Sequence, residues 1–219
     1  MYVLGTYRTY FFFMHLWLLA GAVHDQAMDS TDSVPRYTLL FSGHMIDAAD
    51  RKTPRFPPSI EGEVRNAIAQ RLEVIGATGI DLGICSAACG GDLIFAEAAL
   101  SRKVPLEVYL PFDVATFAQR SVDFAVGDWH ARFDAVLSAS KLHLQPLERP
   151  PLTKDQDPYE QANLWMLEAA SRFGTDKIVF IALWDGKPGD GPGGTEHMMN
   201  TVRQHHGQVH WINTTELGS

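Results

Sequence analysis

IDLGICSAACGGDLIFAEAALSR, residues 80–102, decides the fold class. Its first five residues, 80–84, form a short apolar run of strand length. A loop of small residues follows, Cys85 through Asp92, and then 90–102 has the composition of a helix, rich in Ala, Leu and Glu. Strand, tight loop and helix in immediate succession are half of a parallel βαβ unit. The same alternation extends outward in both directions. Upstream, YTLLF (37–41) is a strand. Val64, Ile68, Leu72 and Ile75 then recur every three or four residues, with Glu61 and Glu63 in the first turn and Gly76 at the end, which predicts a one-sided helix. Downstream, PLEVYL (105–110) is a third strand and the region up to about residue 128 is irregular. Trp129, Phe133, Val136 and Leu137 share a helical face, and LHLQPL (142–147) is a candidate strand. Asp157, Pro158 and Glu160 announce a capped helix whose buried side is Ala162, Trp165, Ala169 and Phe173. KIVFIALW (177–184) is apolar throughout, as a strand covered on both faces must be. A glycine-rich loop, a helix over 195–206 and the strand QVHWI (208–212) complete the pattern. The expected fold is α/β: a doubly wound, mostly parallel Rossmann-like sheet of five to six strands, with a short N-terminal helical segment.

Composition agrees with one such domain plus an appendage. The chain has 219 residues, 46% hydrophobic, 20% charged and 11% aromatic, which excludes disorder, collagen and coiled coil. Eighteen basic against 26 acidic residues leave a net charge of −8, and no basic stripe along the sequence opposes it, so no nucleic-acid partner is expected. The only two cysteines, Cys85 and Cys89, cannot build a disulfide framework or a zinc site by themselves. They are expected as buried fillers in a reduced, cytoplasmic setting. No metal site is expected from His205, His206 and His210, which lie on different elements.

Residues 1–23 are an apolar appendage. The run YFFFMHLWLLAGAV (10–23) falls short of the ~20 residues that cross a bilayer. It suits a packed helix, a signal peptide with Arg8 and the Ala20-Gly21-Ala22 pattern, or a membrane anchor, the last being the least favoured. LLAGAVHDQAM also resembles one degenerate tetratricopeptide-type repeat. Polar residues 24–36 form a linker, and 37–214 the Rossmann-like domain.

In an open doubly wound sheet, ligands bind beyond the carboxyl ends of the strands. The strand-exit loops therefore supply the candidate ligand-binding residues: Ser42, Gly43 and His44; Ser86, Gly90, Gly91 and Asp92; and Asp185, Gly193, Gly194 and Thr195. Two of these loops run directly into helices, whose free N–H groups favour a phosphate. In this reading Gly90 and Gly91 let the backbone approach the ligand, or simply make a tight turn with Asp92 as helix cap. Thr195 caps the helix it precedes. Asp185 and Asp190 are candidates for a ribose or a magnesium ion, and equally for turn chemistry. Glu97 and Glu196 are the candidate catalytic carboxylates. Phe112, Phe117, Ser121 and Trp129 are candidates for a lid, with Trp129 better placed in the core.

These residues carry a resemblance. GICSAACGGDLIFAEAAL followed by PLEVYLP resembles the strand, turn and Ala-rich helix of the SMF/DprA/LOG superfamily, in particular its YspA-like branch. GPGGTEHM (191–198) is similar to the P-G-G-x-G-T-x-x-E motif of the lysine-decarboxylase-like members, shortened so that Thr195 follows Gly194 directly. The catalytic arginine of the phosphoribohydrolases has no counterpart at these motifs. The resemblance implies binding or sensing of a nucleotide or nucleotide-derived ligand, with magnesium as a candidate companion and a homo-oligomer or an effector domain as partner. The alternatives are an N-glycosidic-bond hydrolase or transferase, in which Glu97 or Glu196 would act, and an interaction domain with a vestigial pocket.

Overall fold

The computed structural model describes residues 34–187 and 194–218. The appendage, most of the linker, and Asp190, Gly191 and Gly193 of the glycine loop lie outside the described residues. A compact unit begins at Pro35. Arg36, assigned above to the linker, already belongs to it: its guanidinium donates to both carboxylate oxygens of Asp81, at 2.9 and 2.7 Å.

Six strands form one sheet: β1 (Thr38–Gly43), β2 (Leu82–Cys85), β3 (Leu106–Leu110), β4 (Lys141–Leu144), β5 (Ile178–Trp184) and β6 (Gln208–Asn213). Their order is β4-β3-β2-β1-β5-β6, and every neighbouring pair is parallel. The helices are α1 (Glu61–Ile75), α2 (Gly91–Ser101), α3 (Val114–Ser121), α4 (Trp129–Ser138), the single turn α5 (Gln145–Glu148), α6 (Pro158–Ser171) and α7 (Thr195–Gln204).

Side-chain alternation along the strands divides the core in two. Leu39 and Phe41 of β1, with Val179, Ile181 and Leu183 of β5, pack with α1 to α4. Leu40, Phe180, Ala182 and Trp184 pack with Met166 of α6 and Met198 and Val202 of α7. Period-two strands buried on both faces thus place helices on both faces, which is the doubly wound arrangement expected. The chain changes face on the long passage from β4 to β5. β5 lies beside β1, paired from Thr38↔Ile178 to Gly43↔Leu183. The strand order therefore reverses between β1 and β5, and that is the topological switch point.

Three local readings change. The irregular stretch contains α3, capped by Asp113, whose carboxylate accepts from the Thr116 N–H (2.9 Å) and hydroxyl (2.7 Å). Only Phe117, Ala118 and Ser121 of its eight residues are buried, too short a pattern for periodicity to reveal. The candidate strand at 142–147 ends at Leu144 and continues as α5. On α6 the buried side is Ala162, Met166, Ala169 and Ala170, while Trp165 is only partly buried, flanked by Arg149 and the Tyr109 ring. The cap is as expected, with Asp157 accepting from the Glu160 N–H at 2.9 Å. No helix among the described residues is long and apolar enough to cross a membrane.

Candidate functional site

A cleft of about 540 Å³ opens at the carboxyl edge of the sheet, over the switch point. Of the expected residues, Ser42, Gly43 and His44 from the end of β1, Ser86 and Asp92 from the β2–α2 connection, and Gly194 and Thr195 at the start of α7 line it. Ser42 Oγ and Thr195 Oγ1, 3.3 Å apart and buried, join the end of β1 to the first turn of α7. The N-cap of α7 is Gly194, so Thr195 is the first helical residue rather than the cap.

His44 is anchored by its backbone, which donates to Leu183 O (3.0 Å) and accepts from the Gly91 N–H (3.1 Å). Its Nε2 receives the Asp185 backbone N–H at 3.1 Å and lies 3.4 Å from Arg55 Nε. The same Nε2 lies 3.2 Å from Asp185 Oδ1, so the ring sits against both the backbone and the carboxylate of Asp185. Asp185 itself is 7% exposed and does not line the cleft. Burial pushes its carboxyl up, but the Lys187 N–H, His44 and the charge of Arg55 outweigh that and hold it below the ordinary value. Asp185 thus positions His44 and the β5 exit, and no ligand role is assigned to it by contact with the cleft.

Asp92 differs from the cap expected of it. Gly90 is the N-cap of α2, and the Asp92 carboxylate turns back to accept from the Ala88 N–H at 3.2 Å. Burial raises its pKa to about 7, the Ala88 hydrogen bond opposing only in part. A carboxyl on the cleft wall that titrates near neutrality is an unusual group, and such groups gather at functional sites. The neighbouring thiols are inert by contrast: burial pushes Cys85 well above its ordinary value and Cys89 to about 12.

The glycines divide by role. Gly90 has φ +114°, and a Cβ there would strike the backbone N of Ile46, so only glycine suits the turn. A Cβ on Gly91 would lie 3.0 Å from Phe41 Cζ and Leu183 Cδ2. Gly91 therefore allows α2 to settle on the sheet, and neither glycine lines the cleft. The expectation that both expose backbone to the ligand is corrected: they serve turn and packing.

Both proposed catalytic carboxylates fall elsewhere. Glu97 accepts from Arg132 Nε at 2.5 Å and from Arg65 at 2.9 Å in an ion network that ties α1, α2 and α4 together. Glu196 is exposed on α7 and does not line the cleft. Trp129, buried under the Arg132 guanidinium, is a core residue rather than a lid, whereas Phe117, also buried and stacked on Phe133, lines the cleft.

Sequence reasoning missed several wall residues: Arg55, Glu160, Asn163 and Tyr159. Arg55 arrives through the loop after β1, which is closed by the Asp47 carboxylate accepting the N–H groups of Arg55 (2.9 Å) and Phe56 (3.0 Å). Tyr159, from α6, reaches Ser121 Oγ at 2.9 Å and meets the Phe112 ring edge-on at 5.6 Å, forming one rim. Among the described residues no group of three or more His, Cys, Asp or Glu converges as a metal site.

No family model and no curated protein matches the chain. Among solved structures, the X-ray structure of DNA processing protein A (DprA) from Streptococcus pneumoniae is similar to it with a TM-score of 0.42 and 10% identity, over 80% of this chain and 50% of that one. The chain thus spans about half the length of that structure.

Proposed function

We propose that the domain binds a nucleotide or nucleotide-derived ligand in the switch-point cleft and acts as a sensor of the SMF/DprA/LOG type. The observation that supports this most is the cleft itself. It lies where doubly wound sheets hold ligands, and the start of α7, which has no side-chain cap, contributes Gly194 and Thr195 to its wall, an arrangement that favours a phosphate. Ser42, Thr195 and Arg55 are suited to the phosphate. Glu160 and Asn163 can accept and donate to sugar hydroxyls. The volume of about 540 Å³ is within the range of small-molecule sites.

Catalysis has less support, because Glu97 and Glu196 are both away from the cleft. In a sensor the ligand response would pass to a second copy of the chain or to an effector domain.

Gly194 lies on the cleft wall with φ −66°, a conformation open to any residue. Gly194→Val is therefore expected to keep the fold and to weaken nucleotide binding at least tenfold by filling the space beside the α7 N-terminus. Isothermal titration with nucleoside monophosphates and inorganic phosphate checks it. Unchanged affinity in a folded variant would remove the phosphate from this helix start.

A further inference from the structure

A second cavity of about 290 Å³ adjoins the cleft. It shares His44, Met45 and Arg55 with the cleft and adds Asp47, Arg51 and Phe124. Two features distinguish its wall from ordinary surface. Met45 and Phe124 are 42% and 38% exposed, so a thioether and an aromatic ring face solvent in a concave setting. The loop after β1 carries Arg51, Lys52 and Arg55, three cations within five residues of a chain whose net charge is −8.

The wall is also held in place. Met45 bridges Gly90, and Ile46 N–H donates to Cys89 O at 3.0 Å. Arg51 Nε lies 3.2 Å from Asp47 Oδ1 and donates to Thr53 O at 3.0 Å. These contacts hold the loop after β1 in place before any ligand arrives, which lowers the ordering cost of binding.

Resting on the nucleotide reading of the cleft, we infer that the second cavity is a subsite for a planar ring, carried on the far side of a diphosphate. The preferred ligand is then two-ended, a dinucleotide rather than a mononucleotide. The ring would stack on Phe124 and against Met45, while Arg55, which lines both cavities, would meet the phosphates at the junction. Arg51 and Asp47 offer a donor and an acceptor to the ring edge.

Calorimetry with AMP, ADP-ribose and NAD+ tests the subsite, because only NAD+ carries a planar ring beyond the diphosphate. NAD+ is expected to bind at least tenfold more tightly than ADP-ribose. Phe124→Ala should lower NAD+ affinity roughly tenfold and leave AMP unchanged, and Arg51→Ala should repeat the pattern more weakly. Equal affinities for NAD+ and ADP-ribose, or a Phe124→Ala loss common to all three, would overturn the subsite while the cleft reading stands. If the wild type binds none of the three, the cleft reading fails and the subsite with it.

Discussion

Arg55→Glu is expected to remove the stabilisation that a nucleotide gives the folded protein, lowering affinity roughly a hundredfold or more. Arg55 is a cation of the cleft wall and also lines the neighbouring cavity, so reversing its charge replaces attraction by repulsion at the place where phosphate must sit. A charge-assisted contact of this kind is worth about 2–3 kcal/mol, and the new carboxylate adds to the loss. The backbone N–H that holds the loop to Asp47 is untouched by the substitution, so the loop keeps its closure. Arg55→Lys retains the charge and should keep most of the effect. Melting curves with and without ligand for both variants check this. A charge-reversed protein that keeps the wild-type shift would place the phosphate elsewhere.

The second large effect concerns stability and pH. The Asp92 carboxyl titrates at about 7 in the folded protein against an ordinary value of 3.8. Between these values the native state holds a proton that the unfolded chain has released, so the contribution of this group to stability is greatest below about pH 4, falls as pH rises to about 7, and is level above. A displacement of this size corresponds to on the order of 4 kcal/mol. Asp92→Asn keeps an oxygen to accept the Ala88 N–H and removes the titration. The variant should match the wild type near pH 4 and exceed it above pH 7. Urea unfolding of both proteins at pH 4, 5.5 and 7.5 measures the difference, and parallel pH dependences would show that Asp92 ionises without cost.

What was legible in the sequence follows from which signals are local. The buried strands of this sheet are short apolar runs, and α1 and α6 carry caps and periodicity, so their types are evident from the chain alone. The exit loops of β1, β2 and β5 could be located for the same reason, and six of the proposed ligand residues reach the cleft besides Gly43. Position on a helix was harder. Glu97 follows Asp92 by five residues, which turns it about 140° around α2, away from the cleft and into the Arg65 and Arg132 network. Gly91 shows another boundary: glycine permits close approach, but sequence does not say whether the visitor is a ligand or Phe41. Arg55 sits in an aperiodic, proline-rich stretch and reaches the site only through the Asp47 closure. Tyr159, Glu160 and Asn163 depend on α6 crossing to the other face of the sheet, a long-range fact that no local pattern encodes. The Asp113-x-x-Thr116 cap was the one signal that could have revealed α3.

The most direct test of nucleotide binding at the switch point is the melting temperature of the wild-type protein across a panel of nucleoside monophosphates, nucleoside diphosphates and dinucleotides. A ligand present at 100 times its Kd should add about 2.7 kcal/mol of stability, and at least one class in the panel is expected to raise the midpoint in a concentration-dependent way. A midpoint that stays constant for every nucleotide up to millimolar concentration would contradict the account.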